Sequence, residues 1–586
     1  MQSIKPTLDE KVMNSTFIEK FESIAELFPT NIALIAGNDS ISYSQLQQKA
    51  KRIAVGIQSE IDDNVEGVVL CLQRDESLIT TILACHYLGM PYIPVDPRTT
   101  GEKIEHILSQ AHYLYISNAK ISECQKTVDV NSLWKANAPF EQENLTGTSQ
   151  EAYRIYTSGS TGAPKAVMVS HIGCANLIEY FCSLLAFRPG QTWLSSTSIA
   201  FDIFFLEYSV PLSSGGTLIL LTDQEIYSPQ QIAGQVMRWS PSVYQATPSL
   251  FKGLLSYLDK GWQFQKVLVG GESLSPQLSS SLFERSGWLC NVYGPTETTV
   301  WSSAHVIRQA GDTRIGRPIR HSQLLILNEH QQECAQGEPG RIYISGDGLA
   351  LGYFNNPQLT ARKFAEVRIG GVNRRMYDTN DIGYVDNEGI VNFLHREGGF
   401  IKINGYRVEP TEITDTFESI EGVSGSAVIS LHDDLSDSSI LIGWVECTGL
   451  TEATIRAFLE SKLSYYLIPH HIFTIPALPY TLSGKVDANG LEDMSLKLLS
   501  RAPTASVSVL MSEPSALASH PVGKILGQYM DITRMSKEDN FFELGLTSMQ
   551  AISLHIDMLE LYPNLQLHEI FDRPSFDKLI KEFERI

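Results

Sequence analysis

Paired cysteines and histidines at metal-ligand spacing are missing from this chain. Its 8 cysteines are scattered over 586 residues, with no Cys-x-x-Cys step, so neither a zinc site nor a disulfide framework is indicated. They read as buried or incidental thiols of a reducing compartment. Positive charge is also scarce: 45 Lys and Arg stand against 66 Asp and Glu, a formal net charge of -21. Attraction to a phosphate backbone needs a basic face, so nucleic acid is not an expected partner. No run reaches the ~18 apolar residues of a membrane span, and the opening MQSIKPTLDEK carries no apolar stretch. The expectation is a cytoplasmic protein without a membrane partner. Internal repeats and low-complexity tracts are lacking too.

What is present is enough for several cores: with 43% hydrophobic residues, a prior of ~150 residues per domain suggests roughly three or four units. From about residue 15 to 395, apolar runs such as Gly67–Leu72, Thr217–Leu221 and Lys266–Val269 alternate with helical stretches such as Ser44–Ile57. Continuous apolar strands between helices predict parallel sheet covered on both faces. The texture turns Gly-rich and charged around Arg396–Gly405, a plausible hinge before a small α+β unit that runs to about 495. Residues 496–517, rich in Ser, Ala and Pro, read as a linker. Beyond them, Met549, Ile552, Ile556 and Leu559, then Phe576, Leu579, Ile580 and Phe583 after Pro574, keep helical spacing, which predicts a small helical bundle.

The densest chemical signal is Ile155–Lys165. Here Gly159 and Gly162 allow the backbone to curl its N–H groups inward, Thr157, Ser158, Ser160 and Thr161 add hydroxyl donors, and Lys165 supplies a mobile cation. Such an array suits a chain of phosphates and points to ATP. A polar hairpin turn has the same composition, and the spacing is not that of a Walker loop.

Further segments turn this loop into an ordered set: Tyr293–Thr299, Gly346–Tyr353, Tyr377–Asp381, Lys402–Glu409 and Leu482–Lys485. In this order and spacing the chain resembles an adenylation domain of a nonribosomal peptide synthetase, a member of the adenylate-forming superfamily. The likeness runs from about Phe17 through Asp487. A second resemblance, to a peptidyl carrier domain, rests on Asp539–Ser548, whose Leu-Gly-x-x-Ser ends on Ser548.

The fold class the resemblance implies is multidomain α/β: a large core over 1–397 with parallel sheets and a small β-barrel, a mobile α+β lid over 398–495, the linker, and a four-helix carrier domain over 518–586. The implied reaction joins a carboxylate to the α-phosphate of ATP, then passes the acyl group to a thiol. The resemblance places Lys485 at the adenylating step as an electrostatic partner, Thr296 at the α-phosphate, and Glu297 on Mg²⁺. It places Asp381 on the ribose hydroxyls, with Arg396 and Tyr293 beside the nucleotide, and 4'-phosphopantetheine on Ser548. Two departures stand out. Asn380 replaces the family's usual Gly, although Asn tolerates positive φ, and Gly398 occupies the hinge where Asp or Lys is common.

The side-chain pocket maps by the same resemblance to Asp202, Ile203, Leu206, Gln245, Leu268, Gly270, Val292, Val300 and Trp301, closed by Lys485. Asp202 would anchor an α-ammonium, because a buried carboxylate selects a substrate that brings a cation. The other walls are apolar and large, and the set resembles glycine-activating pockets, with alanine second. With about fifteen residues before the core, a free-standing adenylation–carrier protein for natural-product assembly is expected. Its implied partners are the small amino acid, a phosphopantetheinyl transferase, a downstream condensation or tailoring enzyme and an MbtH-like activator. An acyl- or aryl-CoA ligase and a catalytically silent carrier scaffold are the alternatives.

Overall fold

The structure, a computed structural model, describes residues 15–97, 99, 101–117, 127–134, 150–157, 164–227, 229–396, 401–403, 406–408, 410–433, 438–447, 449–479 and 486–501. Near the C-terminus it describes 520–527 and single positions from 529 to 576. Two compact units emerge, one of residues 1–226 with 232–496, the other of 227–231 with 497–586.

The first unit is built on two large mixed sheets. One orders nine strands as Arg317–Pro318, Ser303–Val306, Leu289–Tyr293, Lys266–Gly270, Val243–Ala246, Thr192–Ser195, Thr217–Leu220, Ile32–Ala36 and Asp39–Ser42. Its middle is parallel and its edges antiparallel. The second orders seven strands from Gly352–Tyr353 through Lys165–Ser170 and Glu151–Thr157 to Thr127–Asp129. The parallel sheets expected from the sequence are thus mixed: short-turn neighbours such as Ile32–Ala36 and Asp39–Ser42 pair antiparallel, and Gly352–Tyr353 adds antiparallel to Lys165–Ser170 from far along the chain.

Local chemistry explains the helices that cover these sheets. A capping box fixes the start of Tyr43–Glu60: the Ser42 backbone N–H donates to Gln45 Oε1 at 2.9 Å, and the Gln45 N–H returns to Ser42 Oγ at 3.3 Å. Helix Glu76–Leu88 starts on Asp75 and stops at Gly89, whose φ of 60° closes it in the left-handed region. Helix Ile203–Leu212 is buried along its whole length, as its nearly continuous apolar sequence demands.

Where a small barrel is expected, the described residues form a five-stranded antiparallel sheet of Ser322–Leu327, Gly340–Gly346, Val372–Val385, Phe364–Ile369 and Val391–Arg396. Beyond it, Val423–Asp433, Ser438–Cys447 and His471–Ile475 make a three-stranded sheet. Alternation along its central strand puts Leu441 and Val445 in a cluster with Ile413, Phe417, Ile455 and Leu459 of two helices. Trp444, on the opposite face, donates to Ser495 Oγ at 3.0 Å. Ser495 belongs to the helix Ala488–Arg501, so the stretch read as linker from 496 opens as helix. Its buried Leu491 and Ser495 stabilise a helix whose outer face alone matches a linker in composition.

In the second unit, helix Pro521–Leu526 buries Val522 and Leu526. His520 packs edge-on to Phe576 at 5.2 Å, and Tyr529 donates to Asp557. Phe541, Leu554, Met558 and Ile570 are buried. Most of the expected helical stripe, and Ser548 itself, lie outside the described residues.

Candidate adenylation site

Register brings the pocket residues onto one wall. Gln245 pairs with Leu268, and Gly270 pairs with Val292, on three adjacent parallel strands. Partners across a ladder share a face, as do residues two apart on a strand, so Gln245, Leu268, Gly270 and Val292 all point the same way. They sit toward the carboxyl ends of their strands, where open α/β sheets receive ligands.

Facing them is the helix that starts at Ile203. Gln245 Nε2 donates to Ile203 O at 3.3 Å, and Leu206, one turn on, is fully buried. Asp202 occupies the cap position of this helix, but its carboxylate makes no capping hydrogen bond.

The third side is a strained loop. After Tyr293 the chain makes a short 3-10 turn at Thr296–Thr298. It then holds Thr299 and Val300 at φ 61° and 64°, costing about 1–2 kcal/mol each in the left-handed region. Hydrogen bonds from Thr299 Oγ1 to Gly348 O at 2.7 Å and from the Ser302 N–H to Tyr293 O at 2.8 Å hold the strain in place. The product is an aimed side chain: Trp301, 1% exposed, donates its indole N–H to Gln245 Oε1 at 2.9 Å. Its ring edge lies over Gly270, where a Cβ would stand 3.0 Å from Trp301 Cη2 and 2.2 Å from Val292 O.

The same loop carries the candidate metal ligand. Glu297 is fully buried; its Oε1 accepts from the Tyr353 hydroxyl at 2.8 Å and lies 3.4 Å from Lys165 Nζ. Lys165 also sits 4.9 Å above the Tyr353 ring. Thr157 and Lys165 pair across an antiparallel ladder, and Lys165, at the start of its strand, points its cation at Glu297. Among the described residues no group of three or more His, Cys, Asp or Glu could hold a metal. A lone buried carboxylate fits Mg²⁺ only when phosphate oxygens and water complete its shell.

Asp381 enters from the five-stranded sheet. It accepts from the Tyr293 hydroxyl at 2.6 Å and pairs with Arg396 Nη1 at 2.9 Å, and Arg396 Nη2 donates to Thr379 O at 2.7 Å. Burial first, then the neighbouring Asp381, pushes the Tyr293 phenol far above its ordinary range, which keeps it a donor. Asn380 adopts φ 59°; Lys363 Nζ donates to its Oδ1 at 3.1 Å and its N–H donates to Asp378 Oδ1 at 2.9 Å. The positive-φ bulge inside strand Val372–Val385 therefore accepts asparagine where the family has glycine.

The fold thus gathers Lys165, Tyr293, Thr296, Glu297, Asp381 and Arg396 around the loop that also carries Val300 and Trp301. Ser158, Gly159, Ser160, Thr161, Gly162, Gly398, Lys485 and Ser548 lie outside the described residues. Two residues given no role from the sequence belong to the site. Tyr353, inside one quoted motif, holds Glu297. Glu207, the one charged residue of the apolar helix Ile203–Leu212, lies behind Gln245; a lone carboxylate in such a run was the available signal. A separate cavity of about 1290 Å³, lined among others by Glu19, His86, His171 and Arg374, includes none of the residues gathered here.

Residues 21–354 match the AMP-binding enzyme family. Tyrocidine synthase 2 of Brevibacillus parabrevis is 30% identical over 97% of this chain, which spans 16% of that relative. A dimodular nonribosomal peptide synthase of Bacillus subtilis is 29% identical over 95% of the chain, which spans 24% of it. The solved structure of holo-PA1221, an NRPS protein containing adenylation and PCP domains, superposes with a TM-score of 0.78 at 25% identity, covering 98% of both chains. Holo-AB3403, a four-domain nonribosomal peptide synthetase bound to AMP and glycine, gives a TM-score of 0.62 at 26% identity over 98% of this chain and 43% of that one. The chain belongs to the AMP-binding enzyme family.

Proposed function

We propose that this protein activates a small amino acid, glycine first and alanine second, as its aminoacyl adenylate and loads it as a thioester on a phosphopantetheine arm at Ser548. The observation that carries the choice of cargo is the Trp301 indole, packed over Gly270 and held by Gln245, which occupies the volume a substrate side chain would need. The solved relative bound to AMP and glycine agrees with that reading. Asp202 at the helix start is the anchor for the substrate ammonium.

In the first half-reaction a carboxylate oxygen of the amino acid attacks the α-phosphorus of ATP, and pyrophosphate leaves with the electron pair of the broken P–O bond. Negative charge gathers on the phosphoryl oxygens. Lys165 and Lys485 are the cations assigned to it, with Thr296 donating at the α-phosphate and Asp381 accepting from the ribose hydroxyls. Mg²⁺ would be held by Glu297 together with the phosphates and would supply charge neutralisation there. In the second half the arm's thiolate attacks the acyl carbon and AMP leaves. The phosphopantetheinyl transferase, a downstream condensing or tailoring enzyme and an MbtH-like activator complete the assignment, in a cytoplasmic setting.

Intact mass of the phosphopantetheinylated protein after incubation with ATP and mixed amino acids tests both halves, since the added mass names the cargo. Glycine should be loaded, and Ser548→Ala should lose loading while keeping glycine-dependent pyrophosphate exchange. Exchange driven by benzoate or octanoate in place of any amino acid would sink the assignment.

A further inference from the structure

Behind the pocket wall runs an unbroken buried chain of hydrogen bonds. Arg74, 2% exposed, donates from Nη2 to Ser195 Oγ at 2.8 Å and to Ser195 O at 2.9 Å, from Nε to Leu221 O at 2.8 Å, and from Nη1 to Thr197 O. Ser195 Oγ donates in turn to Glu207 Oε2 at 2.6 Å. The other carboxylate oxygen accepts from Thr197 Oγ1 at 2.6 Å and from Gln245 Nε2 at 3.5 Å. Gln245 passes the order on to the Trp301 indole.

Donor and acceptor roles in this chain are forced. An indole N–H can only donate and an ionised carboxylate can only accept. The Gln245 amide must therefore turn its oxygen to Trp301 and its nitrogen to Glu207 and to Ile203 O. Reversing it would leave the indole N–H facing an NH₂ group and a buried donor unpaired, the costly case for an enclosed polar atom. Burial raises the Glu207 carboxyl, while its hydroxyl donors and then Arg74 oppose the rise.

We propose that Glu207 is a positioning residue for substrate selection: by fixing the Gln245 amide it holds the Trp301 indole over Gly270 and so keeps side chains larger than hydrogen out of the pocket. This rests on the assignment of that pocket to the substrate. Glu207 touches no reacting atom in this scheme; it acts through two intervening side chains.

The test is pyrophosphate exchange with glycine, alanine and 2-aminobutyrate on wild type, Glu207→Gln, Ser195→Ala and Trp301→Phe. Glu207→Gln can present either end of its amide to Gln245, so the indole loses its fixed orientation. The alanine-to-glycine ratio of kcat/KM should rise about tenfold, the scale of one methylene's discrimination, mainly through a lower KM for alanine. Ser195→Ala, which loosens Glu207 from behind, should move the ratio the same way by less, and carries the test should Glu207→Gln fail to fold. Adding Glu207→Gln to Trp301→Phe should change the ratio no further, since phenylalanine has no N–H to hold. Equal losses of kcat/KM for all three acids, or an unchanged ratio in both Glu207→Gln and Ser195→Ala beside a shifted one in Trp301→Phe, overturns the role of Glu207 while leaving the pocket assignment standing. An unchanged ratio in Trp301→Phe itself overturns both.

Discussion

The Tyr353 hydroxyl donates to Oε1 of Glu297 at 2.8 Å, the same oxygen that lies 3.4 Å from Lys165 Nζ. Two motifs far apart in sequence thus meet on one carboxylate oxygen. Removing the hydroxyl while keeping the ring should free the carboxylate to rotate. Tyr353→Phe is expected to lower kcat/KM for ATP by about tenfold, the low end for groups that orient a metal ligand. A titration of exchange activity against Mg²⁺ should show a higher half-saturating concentration, with little change in KM for the amino acid.

Gly270 has no room for a methyl group. A Cβ there would meet a backbone oxygen at 2.2 Å and Val292 Cγ2 at 2.7 Å, and backbone cannot swing aside as a flexible side chain would. Gly270→Ala should destabilise the protein by about 1–3 kcal/mol, the usual range for overpacking, and abolish glycine-dependent exchange. Chemical denaturation with an exchange assay on the folded fraction separates the two effects.

Asn380 sits at φ 59° next to Asp381. Alanine there pays the left-handed cost of about 1–2 kcal/mol and loses the Lys363 contact, whereas glycine meets the φ without strain. Thermal denaturation should therefore rank Asn380→Gly close to wild type and Asn380→Ala below it. Equal losses in both variants would mean that the side-chain bond to Lys363, which both lose, and not the backbone angle, holds this position.

Acid stability should report His86. Burial first, then the nearby His171, holds its imidazole well below the ordinary value of 6.5, and it is wedged edge-on against Phe17 at 5.1 Å and Tyr92 at 5.7 Å. His171 is lowered as well, by burial. As pH falls below about 6.5 the unfolded chain takes up protons that the folded chain refuses, so stability drops, by up to ~1.4 kcal/mol per pH unit for each such group. Unfolding midpoints measured from pH 7.5 to 5 should fall, and His86→Phe should make the fall shallower.

Much of the site was legible in the sequence because each motif concentrates a local chemistry. The glycines and hydroxyls of 157–162, the Tyr293–Thr299 run and Thr379–Asp381 carry their proposed roles in adjacent residues, and Asn380, standing where the family has glycine, was matched to the positive φ that it adopts. The parallel middle strands were legible as continuous apolar runs. The helical character of residues 496–501 was not, since Ser495 and Leu491 are recognisable as buried only once Trp444 is placed against them.

The sequence by itself determined the order of the motifs, and through their resemblance to the adenylate-forming superfamily it implied the reaction class and the residues proposed for the pocket. Only the tertiary structure decided that Tyr353 holds Glu297, that strain at Thr299 and Val300 aims Trp301, and that Glu207 and Arg74 stand behind the wall. Those links join residues distant in the chain through hydrogen bonds whose direction depends on packing, and no local pattern encodes a contact that three separate sheets must first bring within reach.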